Sequence, residues 1–136
     1  MNYEVQEVEI IEETVKDTVE YAVDKTIGSG DNSVYVYYYD AYRKYAEQSG
    51  NQIWECKIGR TDKDPLQRVF GQAGTCYPEL PHIALIMKCS NSFQLESALH
   101  NILKLRNRWI EDAPGTEWFL TSPTEVESIY HMIVGE

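Results

Sequence analysis

Apolar residues recur along this chain with two different periods, and the change of period divides it. In the first part Val8, Ile11, Val15, Val19, Ala22 and Val23 fall at helical spacing with acids between them, which predicts one amphipathic helix. A helix of this kind does not bury its stripe alone, so it packs on the following domain or on a partner. Ile27-Gly28-Ser29-Gly30-Asp31-Asn32 then reads as a linker. Residues 1–30 are expected as an acidic helical extension with its linker, and residues 33–136 as the main domain.

After the linker the period is two. Ser33 to Tyr39 is rich in β-branched and aromatic residues and predicts a strand; Ile53 to Gly59 predicts a second, with Trp54, Cys56 and Ile58 on one face. The polar stretch between them forms a long hairpin connection, with a short helix around Ala41 to Glu47. Asp64-Pro65 supplies an N-cap and a first-turn proline for a helix on Leu66, Val69, Phe70 and Ala73. A third strand fits His82 to Lys88. Asn91, with Gln94 three residues on, opens a helix on Leu95, Leu99 and Ile102, and Ser122-Pro123-Thr124-Glu125 is a capping box opening a last helix on Val126, Ile129, Tyr130 and Ile133. Thr116 to Leu120 reads as a short strand or a tucked segment. Three strands interleaved with helices predict a small α/β (α+β) layer structure.

Composition narrows the function classes. A chain of 136 residues makes one compact domain, and its longest apolar run, Ile83 to Met87, is strand-sized rather than membrane-sized. The acidic N-terminus is unlike a secretory or mitochondrial leader, so the expected location is cytoplasmic, with no membrane partner. Cys56, Cys76 and Cys89 lack CxxC spacing and read as reduced thiols rather than a zinc cage. Twelve basic residues against 22 acidic ones give a net charge of −10, a field that repels nucleic acid. The excess is uneven: nine acids face two bases up to residue 32, and 13 acids face 10 bases after it.

Several residues of the second segment carry possible chemistry. Lys57-Ile58-Gly59-Arg60-Thr61, followed by Lys63 and Arg68, places a basic cluster at a strand-to-loop corner, where Gly59 allows a tight exit. The cluster reads either as solvated surface charge or as a phosphodiester site. Glu96 and His100 lie four apart on one side of a helix, at the flank of its leucine stripe. They are either a surface pair or a half-buried functional pair in which Glu96 holds a Mg²⁺ that keeps most of its waters. Tyr35 is either a packing residue or a base; the second needs its pKa, ordinarily near 10, lowered by a cation such as Lys57 on the adjacent strand.

In order, Ser33-Val34-Tyr35, Lys57-Ile58-Gly59-Arg60-Thr61, Arg68, Glu96-x-x-x-His100 and Glu117-Trp118-Phe119 resemble the GIY-YIG endonuclease superfamily, most closely the branch with a KIG second motif and a closing EWF. The resemblance covers about residues 33–121. It implies a small, largely antiparallel three-stranded sheet flanked by helices, and metal-dependent hydrolysis of DNA phosphodiester bonds with Mg²⁺ or Mn²⁺ as cofactor. Carried over by position, Tyr35 is general base or orients the attacking water, Arg68 stabilises the pentacovalent phosphate, and Glu96 holds the metal. Lys57 stands where the second motif has its tyrosine and His100 matches a further catalytic position. Arg60, Thr61 and Lys63 are expected at the substrate, with Tyr37 and Glu117 as additional candidates.

Two functional classes follow. One is an active nuclease whose missing positive surface comes from a protein partner or a second subunit. The other is an inactive interaction module that binds a partner through its acidic helix or its basic cluster.

Overall fold

The computed structural model describes residues 4–11, 16–73 and 79–135, with side chains described over 22–71 and 79–135. Eleven elements run β1 (Glu4–Ile11), β2 (Lys16–Val23), β3 (Lys25–Gly28), β4 (Asn32–Tyr38), α1 (Asp40–Gln48), β5 (Trp54–Thr61), α2 (Pro65–Ala73), β6 (His82–Cys89), α3 (Ser92–Leu105), β7 (Trp118–Thr121) and α4 (Pro123–Val134). Cys76 lies outside the described residues; Cys56 and Cys89 are free thiols. No described helix is long and apolar enough to cross a membrane.

The main sheet has five strands in the order β3-β6-β4-β5-β7, not three. The expected three are its centre, and every pairing except the parallel β3–β6 edge is antiparallel. The two added strands have only four residues each, too short for a periodic signal in the sequence. β3 takes the place of the expected helix end and linker, and β7 realises the short-strand alternative for Thr116 to Leu120.

The N-terminal segment also departs from expectation. In place of a helix, β1 and β2 pair antiparallel as a separate two-stranded sheet with Glu4 opposite Val23. Its apolar residues satisfied a helical template, yet Val19, Tyr21 and Val23 also alternate. Dense β-branched residues favour the extended backbone. β1 lies against α2, and β2 against β6.

Side chains alternate across the main sheet and build a core on each face. Val34, Val36, Tyr38, Cys56, Ile58 and Phe119 face Leu95, Leu99 and Leu103 of α3 and Val126 and Ile129 of α4. Tyr35, Tyr37, Tyr39, Ile83 and Ile86 face Leu66, Val69 and Phe70 of α2. The caps form where the sequence put them: Asn91 Oδ1 accepts from Gln94 N at 3.1 Å and Ser122 Oγ from Glu125 N at 3.1 Å. The second half of the expected capping box is replaced. The Glu125 carboxylate binds Arg108 and Arg106, each at 3.1 Å, and the Thr121 hydroxyl instead.

Candidate active site

β7 pairs with β5 only from Trp54 to Lys57, so β5 runs on past it from Ile58 to Thr61. One further bond, Ile58 N to the Glu117 carbonyl at 3.0 Å, closes the join. Beyond it the strand edge lies open, with α2 on one face of the sheet and α3 on the other. A cleft of about 580 Å³ forms there, lined among others by Arg60, Thr61, Lys63, Arg68, Glu96 and Glu117.

Tyr35 enters this edge from the inside. It sits opposite Gly59 in the β4–β5 register and is fully buried. A Cβ at residue 59 would collide with the Tyr35 hydroxyl and come within 2.6 Å of its Cζ. Gly59 therefore does not turn the chain out of the strand, as expected; it stays within β5, and its missing side chain is the gap through which the phenol passes. The hydroxyl meets the Arg68 guanidinium in a hydrogen bond. Burial nevertheless pushes the Tyr35 pKa up to about 12, against the partial relief from Arg68. The lowering by Lys57 required for a base is not found, because Lys57 stands opposite Tyr37, two residues away.

α3 brings the opposing chemistry. Glu96 Oε2 is shut off from solvent, with no hydrogen-bond donor on it among the described residues, and the Glu117 carboxyl faces Glu96 closely enough to share a proton with it. Burial first, and then the like charge of Glu117, push the Glu96 pKa up to about 7, while Arg60 and Lys57 pull it down. No group of three or more His, Cys, Asp or Glu is arranged to hold a metal among the described residues. Two facing carboxylates with an orphaned oxygen fit one hard divalent cation that retains most of its waters, and do not fit zinc.

The other expected residues fall around this centre. Lys57 Nζ is 3.8 Å from Glu117 Oε1 and 6.0 Å from the centre of the Tyr37 ring; burial lowers its pKa, and it is not among the cleft-lining residues. Tyr37 is buried and stacks on Tyr35, 6.1 Å between centres and 11° between planes. His100 packs on Phe119 with ring centres 4.8 Å apart and places Nε2 2.9 Å from the Ile58 carbonyl. A carbonyl only accepts, so Nε2 carries the hydrogen; burial lowers the pKa of this ring and favours the neutral form. Thr61 is buried and its hydroxyl accepts from Lys63 N at 3.0 Å, which shapes the loop into α2. Arg60 is exposed above the Phe93 ring at 5.4 Å.

Phe93 and Gln67 line the cleft without having been singled out from the sequence. Phe93 carried a signal: it is a large aromatic residue, 62% exposed, one turn before Glu96. The Glu96–Glu117 pairing carried none, since the two residues come from different elements.

A family model described as T5orf172 domain matches residues 33–134. No curated protein and no solved structure matches the chain.

Proposed function

The chain belongs to the T5orf172 domain family, a nuclease-associated family, and on that footing we propose that it is a divalent-metal-dependent endonuclease of the GIY-YIG type, hydrolysing DNA phosphodiester bonds at the open edge of β5. One observation carries this reading. A guanidinium bonded to the phenol buried behind it, and a half-buried glutamate with one oxygen that has no donor among the described residues, come from opposite faces of the sheet to one cleft that a further arginine and a lysine also line.

Each residue acts by a property already described. Arg68 offers a planar fork of donors to a phosphate and holds the Tyr35 hydroxyl. With its pKa at about 12, Tyr35 remains a neutral phenol near pH 7. It orients the attacking water rather than removing its proton. Glu96 and Glu117 would hold Mg²⁺ or Mn²⁺, which supplies Lewis-acid stabilisation of the leaving oxygen when bound. Lys57 steadies Glu117 from behind, and His100 tethers α3 to the Ile58 carbonyl, so both are positioning residues. Arg60 and Lys63 draw in the flanking phosphates.

Plasmid cleavage in the presence of Mg²⁺ or Mn²⁺ tests the proposal. Glu96→Gln is expected to slow cutting about a thousandfold, the loss typical of removing a principal electrostatic contributor to a transition state. Cutting that survives Glu96→Gln, or that persists in excess chelator, refutes the assignment.

A further inference from the structure

A second cavity, about 600 Å³, opens between α1 and the end of β7. It is lined by Tyr39, Tyr42, Trp118, Pro114, Glu55 and Glu79 among others. Its walls are mainly apolar and aromatic, and the charged groups that line it among the described residues are the two carboxylates. The cleft at β5 differs: its lining carries Arg60, Lys63 and Arg68 beside the carboxylates of Asp62, Asp64, Glu96 and Glu117. We infer that this cavity is a base-binding subsite for a nucleotide flanking the cleaved phosphate, selective for bases that carry an exocyclic amino group.

Continuity with the cleft is the first argument. Glu117 lines the cleft and Trp118, the next residue, lines the cavity. Behind this surface a run of buried rings leads from Tyr35, which is bonded to the cleft's Arg68, to the cavity: Tyr35 stacks on Tyr37, Tyr37 meets Tyr39 edge-on at 6.2 Å, and Tyr39 stacks on Trp118 at 6.4 Å and 20°. From Tyr35 to Tyr39 the strand advances about 13 Å, the reach of a nucleotide or two. A strand with its phosphate at Arg68 thus brings a neighbouring base to Trp118.

Charge complementarity is the second. Phosphates are repelled from a cavity whose charges are carboxylates, whereas the cleft offers them Arg60, Lys63 and Arg68, which sets the direction in which a nucleotide enters. Aromatic faces bind any base by stacking. Carboxylates accept only, so they favour the amino group of cytosine, adenine or guanine over the carbonyl that thymine presents at the matching position. Glu79 is held in place by the Ala41 backbone N–H, 3.3 Å from Oε1.

This inference rests on the nuclease reading for its place in catalysis, but binding tests it separately. In the full chain labelled with ¹⁵N, the indole resonance of Trp118 is followed against those of Trp54 and Trp109 during titration with the four deoxynucleoside 5′-monophosphates. The expected result is a saturable shift at Trp118, with dCMP bound about tenfold more tightly than dTMP. Tyr42→Ala, an exposed position, weakens binding about tenfold. Glu55→Gln, whose amide donates as well as accepts, abolishes the preference for dCMP. No saturable shift with any nucleotide overturns the inference, as does equal binding of dCMP and dTMP. A shift with arginine amide and none with nucleotides also overturns it, and assigns the cavity to a protein partner's arginine. Plasmid cleavage without nucleotide binding here removes the subsite and leaves the nuclease standing; binding without cleavage under any metal keeps the subsite and removes the nuclease.

Discussion

The two sides of the open β5 edge use the same physical lever to different ends. On the α2 face the Tyr35 phenol is buried beside a cation, and on the α3 face the half-buried Glu96 carboxyl stands beside another carboxyl. Burial disfavours the charged form of both. For Tyr35 it outweighs Arg68 and leaves the pKa at about 12, which removes the residue from titration near neutrality. For Glu96 the neighbouring Glu117 adds to it, and the result of about 7 leaves the group poised between its two states. The site therefore has one half fixed in its protonation and one half that a proton switches and that, on the proposed reading, a metal ion would switch as well. The comparison also separates residue identity from role: for a tyrosine expected as general base or as orienter of the attacking water, a pKa of about 12 favours the second, as proposed above.

The strongest way to break the comparison is on the fixed side. Arg68→Ala is expected to cost about a hundredfold or more in cleavage rate, and Arg68→Lys to recover little of it, because an ammonium cannot hold a phosphate and the phenol with a fork geometry. Recovery close to wild type in single-turnover assays would reduce Arg68 to a simple point charge.

Gly59→Ala comes next. Its Cβ has no room beside the Tyr35 ring, which is itself fully buried, so overpacking is expected to destabilise the fold by about 1–3 kcal/mol. It also displaces the hydroxyl from Arg68. Denaturant melts measure the first effect and cleavage the second. An unchanged midpoint shows that the ring moves freely, contrary to its burial.

The switchable half is probed by pH. Glu96 ionises at its ordinary value of 4.5 in the unfolded chain and at about 7 when folded. Between these values the folded state keeps a proton that the unfolded state has lost. The stability this group contributes is complete below about pH 4.5 and is lost as pH rises through about 7. In chelator-treated protein, Tm should fall across that window more steeply for wild type than for Glu96→Gln. Bound there as proposed, Mg²⁺ would displace the same proton, so its stabilising effect should grow with pH. Parallel curves for the two proteins, with no effect of Mg²⁺, locate the titration elsewhere.

The smallest effect is expected at the rim. Arg60 is exposed, and Arg60→Ala should weaken DNA binding a few-fold and reduce the salt slope of log K by about one. A loss as large as that of Arg68→Ala would move Arg60 into the centre of the site.

Much of this arrangement was legible in the chain because the signals are local. The Asn91–Gln94 and Ser122–Glu125 caps, the proline after Asp64 and the alternation of β4 and β5 act within a turn or a strand, and the structure places them as read. The N-terminal segment differs from expectation for a related reason: β-branched residues spaced for a helix also satisfy a strand, and the cross-strand pairing of β1 with β2, which the period of a single segment does not register, settled the matter. The capping box was half right because Glu125 had two arginines within reach after folding, a stronger partnership than one backbone N–H.

By itself, then, the sequence determined the central strands, the helix starts and the presence of one phenol, one guanidinium and one carboxylate in a recognisable order. Tertiary structure alone decided that Gly59 is a gap, that Glu117 faces Glu96 and that Lys57 stands beside Tyr37. Those outcomes depend on which strand pairs with which and in what register, and on how deeply each group is withdrawn from water. Burial and register are sums over distant parts of the chain, and no short stretch of residues contains them.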